Sequence, residues 1–230
     1  MPRLLFPATA AMLAAVIALF SAWPGLDLAA ARLFYLGGNE FAGRTSLGNF
    51  ARFIGYAVPF FLLAPPVLIW LARRAGIKTG WRVTGRAAAF LALTMALGPG
   101  VLVNLVLKDN SHRPRPVQVT QFGGTMEFRP LYRFDGACVK NCSLVSGEGS
   151  AAFWTLAPAL LMPQPWRAAS VAAAMTFGVA VGVLRMAFGG HFLSDTLLAA
   201  LLTILVVGGV WRWLFGTGQG DRFAKVDRVG

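Results

Sequence analysis

Apolar runs close to 20 residues long, separated by short basic turns, constrain this chain of 230 residues more than any other feature. A run of that length crosses a hydrocarbon core as a helix, because only a helix or a closed barrel satisfies its own backbone groups there. The runs fall at about 4–23, 53–71, 86–107, 150–162, 168–184 and 192–215. Only 13% of the residues are charged, about half the share usual in a soluble domain. The alternating segments of a membrane barrel are absent. The sequence therefore predicts an all-α, polytopic membrane protein with six transmembrane helices. It forms one domain over 1–230, with a flexible tail over about 216–230. The fourth run is short and interrupted by Pro158. The first has the length of a signal peptide, but Trp23-Pro24 ends it without a small-residue cleavage site, so an uncleaved first span is expected.

The placement of charge fixes orientation. Arg73, Arg74, Lys78, Arg82 and Arg86 follow the second run, and Arg212, Arg222, Lys225 and Arg228 follow the sixth. With six spans, Arg3 and Arg167 fall on the same side. Positively charged turns stay in the cytoplasm, so both termini are expected there. Residues 24–52, 108–149 and 185–191 then share the opposite face. Residues 24–52 read as a partly amphipathic stretch along that interface. The net charge of +12 does not indicate nucleic acid, because these charges flank spans and form no recognition helix. The 108–149 segment is basic on the face where the topological bias gives no reason for it, which suggests an anionic ligand. It also holds Cys138 and Cys142, a candidate disulfide in an oxidising compartment. Two thiols alone make an incomplete zinc site.

Three polar clusters lie on that face. The first places Lys108, Arg113 and Arg115 within eight positions, stiffened by Pro114 and Pro116. Arginine forks suit phosphate oxygens and lysine adds a point charge; snorkelling at a helix end would need fewer cations. The second, Ser146-Gly147-Glu148, precedes an apolar helix. Gly147 lets backbone amides approach an anion, and Ser146 can donate a hydroxyl. The same residues would make an ordinary helix cap. The third holds Arg185, His191 and Asp195. A histidine and an aspartate four apart on one helix face form a pair in which the carboxylate takes one imidazole proton and leaves the other nitrogen as a nucleophile. A metal site is disfavoured, because the only other histidine is His112 and the neighbours are cationic.

Lysine, six residues, Arg-Pro; then Ser-Gly; then arginine, five residues, histidine, three residues, aspartate: this order resembles the type-2 phosphatidic acid phosphatase superfamily of integral membrane lipid phosphatases. The resemblance covers about residues 50–215. It implies six spans, no metal and no cofactor. Lys108, Arg115, Ser146, Gly147 and Arg185 would bind the phosphate, with Arg113 a secondary candidate. His191 would attack phosphorus to form a phosphohistidine, oriented by Asp195, and water would release phosphate. The family's second motif reads Pro-Ser-Gly-His, and its histidine protonates the leaving oxygen. Val145 and Glu148 replace the proline and that histidine here. Three outcomes are open: Glu148 is the acid, His112 takes its place, or the leaving group departs with little help. A carboxyl serves as an acid only if its pKa rises toward neutrality, and burial and nearby cations push it in opposite directions.

The resulting expectation is a lipid phosphatase of the bacterial inner membrane with a periplasmic active site. Its partner is a phosphorylated membrane lipid, with lipid A first through a looser likeness to a proteobacterial lipid A phosphatase branch. Undecaprenyl diphosphate, phosphatidylglycerophosphate and phosphatidate are the alternative substrates. A lipid phosphotransferase and a non-catalytic lipid-binding protein are the alternative functions. The sequence does not fix the oligomeric state.

Overall fold

A computed structural model describes residues 5–216. Arg3, Arg222, Lys225, Arg228 and nearly all of the expected tail lie outside the described residues. Among the described residues the regular elements are helices and one two-stranded hairpin, and much of 109–146 is irregular loop. Helix α1 (Leu5–Ala22) turns by 90° at Trp23-Pro24 into α2 (Gly25–Arg32). Strands β1 (Tyr35–Gly37) and β2 (Glu40–Phe41) follow, antiparallel. Thr45 then caps α3 (Ser46–Arg74) by accepting from Gly48 N at 3.0 Å. Thr84 caps α4 (Gly85–Met95) in the same way. The chain after α4 widens into a π-helical segment, Ala96–Lys108. Pro99 lies inside it and has no N–H to give an α-helical ladder. Two short helices, α5 (Gly147–Trp154) and α6 (Leu156–Leu161), precede α7 (Trp166–Ala187) and α8 (Leu193–Phe215).

Among the described residues four helices are long and apolar enough to cross a membrane: α3, α4 with its π segment, α7 and α8. The bent α1–α2 pair makes a fifth if it is one span. The fourth expected run is not a single helix but α5 and α6, broken at Thr155, whose hydroxyl donates to the Ala152 carbonyl at 2.7 Å. Residues 24–52 also differ from the expected interfacial stretch. Asp27 on α2 is 1% exposed, and Ala31 and Phe41 pack with Val119, Phe122 and Phe192 into an apolar cap over the site.

Two further apolar clusters hold the helices. Val103, Leu144, Val145, Leu198 and Ala199 lie beneath the site. Phe90, Leu91, Trp154, Val207, Val210 and Trp211 fill the far end. Trp154 is fully buried there, with Nε1 donating to Thr94 Oγ1 at 2.8 Å. A buried indole needs such a partner.

The helices alternate in direction, which sorts their charges. The start of α3, the end of the π segment, the start of α5, the end of α7 and the start of α8 meet at one end. They carry Arg52, Lys108, Glu148, Arg185 and Asp195. Arg73, Arg74, Arg86, Arg167 and Arg212 lie at the opposite helix ends.

Candidate active site

His191 lies in the turn between α7 and α8 and is 2% exposed. Its Nδ1 stands 2.7 Å from the Ser143 carbonyl oxygen. A carbonyl only accepts, so Nδ1 carries the proton and the lone pair resides on Nε2. Burial first, and then the charges of Arg185, Arg115 and Lys108, hold the ring's pKa well below the ordinary histidine value of 6.5; the Ser143 hydrogen bond acts in the opposite sense. A neutral imidazole with a fixed tautomer and a free lone pair is set up as a nucleophile.

Asp195 does not touch that ring as the sequence spacing suggests. His191 Nδ1 and Asp195 Oδ2 are 4.0 Å apart. The reason is local: α8 begins at Leu193, so His191 lies outside the helix that the four-residue spacing assumes. Asp195 instead closes the first turn, with Oδ2 accepting from Phe192 N at 2.8 Å. It reaches His191 through Ser143, whose hydroxyl donates to Asp195 Oδ2 at 2.5 Å while its carbonyl holds the imidazole.

Arg113, a secondary candidate for phosphate binding, faces away from any ligand. Its side chain is 0% exposed, with Nη1 donating to Asp195 Oδ1 and Nη2 to Asp27 Oδ2, both at 2.6 Å. Nε donates to the Arg129 carbonyl at 2.9 Å, and the guanidinium stacks 4.6 Å over the Phe192 ring. Asp27 also accepts from Ser194 N at 2.8 Å and Ser194 Oγ at 2.7 Å. Arg113 is thus a structural bridge between two buried carboxylates, with four of its five N–H donors engaged by Arg129, Ser194, Asp195 and Asp27.

The remaining cations converge where His191 looks out. Arg185 closes α7 at 3% exposed, and its Nε and Nη1 are buried without a hydrogen-bond partner. Such donors are costly to leave unmade, so an absent anion fits them. Gly190 makes room: a Cβ there would lie 2.6 Å from Arg185 Nη2. Arg115 gives Nε and Nη2 to the Asn141 carbonyl at 3.0 and 2.8 Å, which fixes it at the rim. Gly147 opens α5; a Cβ on it would lie 2.7 Å from Asn104 Oδ1 and 3.4 Å from Lys108 Nζ. Glycine therefore lets Lys108 and the first amides of α5 share one anion. Ser146 is the α5 cap, accepting from Gly149 N at 3.1 Å, and its hydroxyl proton is left to donate. A cavity of about 430 Å3 runs from Lys108, Gly147 and Glu148 toward Phe60, Met95 and Pro99.

The structure gives the two candidate acids different surroundings. Glu148 is gripped by Arg52, with Nη2–Oε1 at 2.7 Å and Nε–Oε2 at 3.0 Å. Its Oε2 also lies 3.5 Å from Arg185 Nε, an ion-pair contact without hydrogen-bond geometry. Burial pushes its pKa up, but the Arg52 hydrogen bonds and the Arg185, Arg52 and Lys108 charges outweigh it and leave the pKa below the ordinary value. The Arg52 grip thus favours the carboxylate form of Glu148 over the acid. His112 has Nδ1 2.9 Å from the Cys138 carbonyl, in the loop closed by the Cys138–Cys142 disulfide. Among the described residues no group of three or more His, Cys, Asp or Glu side chains could hold a metal ion.

Sequence reasoning missed Arg52, Asp27 and Ser143. Arg52 and Glu148 are 96 residues apart, and nothing local pairs them. Asp27 did leave a signal: an acid isolated between leucines on an apolar stretch requires a partner.

The comparisons with known proteins agree with one another. The lipid A 4'-phosphatase of Rhizobium leguminosarum is 31% identical over 208 residues, covering 84% of this chain and 88% of the relative. That of Rhizobium etli is 33% identical over 209 residues, with 84% and 80% covered. That of Francisella tularensis subsp. novicida is 32% identical over 203 residues, with 85% and 89% covered. No solved structure matches. The family model for the PAP2 superfamily matches residues 87–219, a span that includes Lys108, Arg115, Ser146, Arg185, His191 and Asp195, and the chain belongs to that superfamily.

Proposed function

We propose that this chain removes a phosphate monoester from lipid A at the periplasmic face of a bacterial inner membrane, through a phosphohistidine on His191 and without a metal ion. It is a lipid phosphatase by family and by relatives. The observation that carries the mechanism is the buried Arg185 guanidinium, whose Nε and Nη1 make no hydrogen bond, in the same site as a histidine whose lone pair is fixed on Nε2. Arg185, Lys108, Arg115, Ser146 and the Gly147 amide hold the phosphate. His191 Nε2 attacks phosphorus, and the phosphorus–oxygen bond to the lipid breaks; the leaving lipid oxygen takes its proton from solvent water, and the water that later attacks phosphorus returns a proton to solvent. Water then attacks the phosphorus, the phosphorus–nitrogen bond breaks, and phosphate is released. Asp195, acting through Ser143, balances the charge that forms on the imidazole. The topology has six spans in one domain, with α5–α6 as a broken fourth span and both termini cytoplasmic, supported by the basic helix ends opposite the site.

Phosphate release from lipid A in detergent micelles with EDTA, by wild type and His191→Ala, tests this. The wild type is expected to release free phosphate and to carry an acid-labile phosphoryl group on quenching. His191→Ala should lose roughly 10^4-fold or more in rate. Undiminished release by His191→Ala overturns the mechanism.

A further inference from the structure

The outer end of α3 borders a second cavity beside the phosphate cluster. Asn49, Arg52, Phe53 and Tyr56 fall at i, i+3, i+4 and i+7, so one stripe of the helix turns toward Glu148. With Glu148 these residues enclose about 250 Å3. Tyr56 and Glu148 also line the larger cavity that holds Lys108 and Gly147, so the two spaces adjoin at the phosphate.

We propose that the smaller cavity is a sugar subsite. It takes the pyranose ring that bears the phosphate: Glu148 and Asn49 read its hydroxyl and amide groups, and Phe53 and Tyr56 lie along a ring face. The inference rests on the phosphatase reading above and names what the enzyme recognises next to phosphorus. Three features carry it. First, Arg52 and Glu148 neutralise one another, with the pair closed at 2.7 Å. The wall therefore offers no net cation for a second anion, and its carboxylate repels one. Secondly, the wall is polar on one side and aromatic on the other. An acyl chain would make no use of the Asn49 amide or of the spare lone pairs of Glu148, whereas a hydroxylated ring supplies donors to the polar wall and C–H groups to the rings. Phe53 and Tyr56 are 64% and 57% exposed, open to such a ligand. Thirdly, the arrangement gives Glu148 a task it can perform as a carboxylate, that of hydrogen-bond acceptor.

The competing account places Phe53 and Tyr56 in an aromatic belt at the membrane surface. A belt serves every lipid alike, and a sugar subsite serves only a glycolipid. Binding to the full-length His191→Ala protein in mixed micelles separates them without turnover. The probes are lipid A and a phosphatidate at equal surface fraction, with Asn49→Ala and Tyr56→Leu added singly. Thermal midpoints report whether each variant is folded. Each variant should weaken lipid A binding roughly 3- to 10-fold, the worth of a hydrogen bond or an aromatic face. The ratio of the two lipid affinities should fall by the same factor. An unchanged ratio, whether both affinities fall together or neither moves, overturns the subsite. A failure of the phosphatase reading looks different: wild type would bind lipid A with this sugar preference and release no phosphate.

Discussion

Asp27→Asn is the sharpest probe of how the site is built, because it is nearly isosteric and lies on a helix outside the family-matched residues. Asp27 accepts from Arg113 Nη2 at 2.6 Å, from Ser194 N at 2.8 Å and from Ser194 Oγ at 2.7 Å. An asparagine keeps one oxygen for these donors and turns its NH2 against the others, donor against donor. Breaking a buried pair by removing one charge costs about 3–5 kcal/mol. Both partners here are 0–1% exposed, so no solvent screening reduces that figure. Arg113 retains Asp195, which argues for the low end, about 3 kcal/mol. For a chain of this length that corresponds to a fall in thermal midpoint of roughly 6–12 °C. Thermal unfolding in one detergent, at one protein-to-detergent ratio, measures it. Arg52→Gln is the control: its partner distance is similar at 2.7 Å, but Arg52 is 44% exposed, and such pairs contribute at most about 1 kcal/mol. A double-mutant cycle completes the argument. Arg113→Met leaves Asp27 and Asp195 buried and facing one another without a cation. Adding Asp27→Asn then removes one of two uncompensated charges and should cost far less than it does in wild type. A fall below about 2 °C for the single variant, or simple additivity with Arg113→Met, refutes the bridge.

Three further outcomes are expected. In a His112→Gln background His191 is the sole histidine, and NMR titration should find its ring neutral well below pH 6.5; Lys108→Gln removes one of the charges that hold it there and should move the titration to higher pH. Glu148→Gln should leave the limbs of the kcat against pH profile in place, because a carboxyl already ionised below its ordinary range adds no titration near neutrality; loss of the alkaline limb would restore Glu148 as the acid. Trp154→Ala should destabilise by about 3–5 kcal/mol, read as a fall in thermal midpoint, since the variant empties the fully buried far-end core and leaves the Thr94 hydroxyl with one partner fewer.

Helix positions were legible because lipid enforces them: a long apolar run has few alternatives to a helix, and α3, α4, α7 and α8 appear where the runs predicted. The residues proposed to meet an anion were legible for a different reason. Lys108, Arg185 and Gly147 stand at helix ends that the expected topology puts on one face, and cations and a small residue gathered there leave a pattern. What stayed hidden was long-range compensation. Arg113 has the composition of a phosphate ligand and stands two residues from Arg115, yet its partners come from residues 27 and 195. No local feature separates a buried bridging arginine from a ligand-binding one. The break between α5 and α6 was half legible, through Pro158, but the chain departs earlier, at Thr155.

The His191–Asp195 pair carries the same lesson to the chemistry. A spacing of four predicts contact only if both residues are in the helix, and an aspartate in the first turn has a competing use. Asp195 takes it: the Phe192 amide and Arg113 claim its oxygens, and the Ser143 carbonyl becomes the group that sets the histidine tautomer. The departure at position 148 follows the same logic. A glutamate amid Lys108, Arg115 and Arg185 competes with phosphate for them, and the hydrogen bonds from Arg52 draw its carboxylate to the α3 side, leaving the 3.5 Å contact with Arg185 Nε. Glu148 and Arg52 therefore act as a pair across 96 positions, and the test is reciprocal. Arg52→Gln releases the Glu148 carboxylate to compete with phosphate for Arg185, and should raise KM with little change in kcat. Adding Glu148→Gln removes the competing charge while keeping an amide oxygen to accept from the sugar, and should restore most of KM. Failure of the second substitution to rescue the first would mean that Arg52 binds the substrate itself.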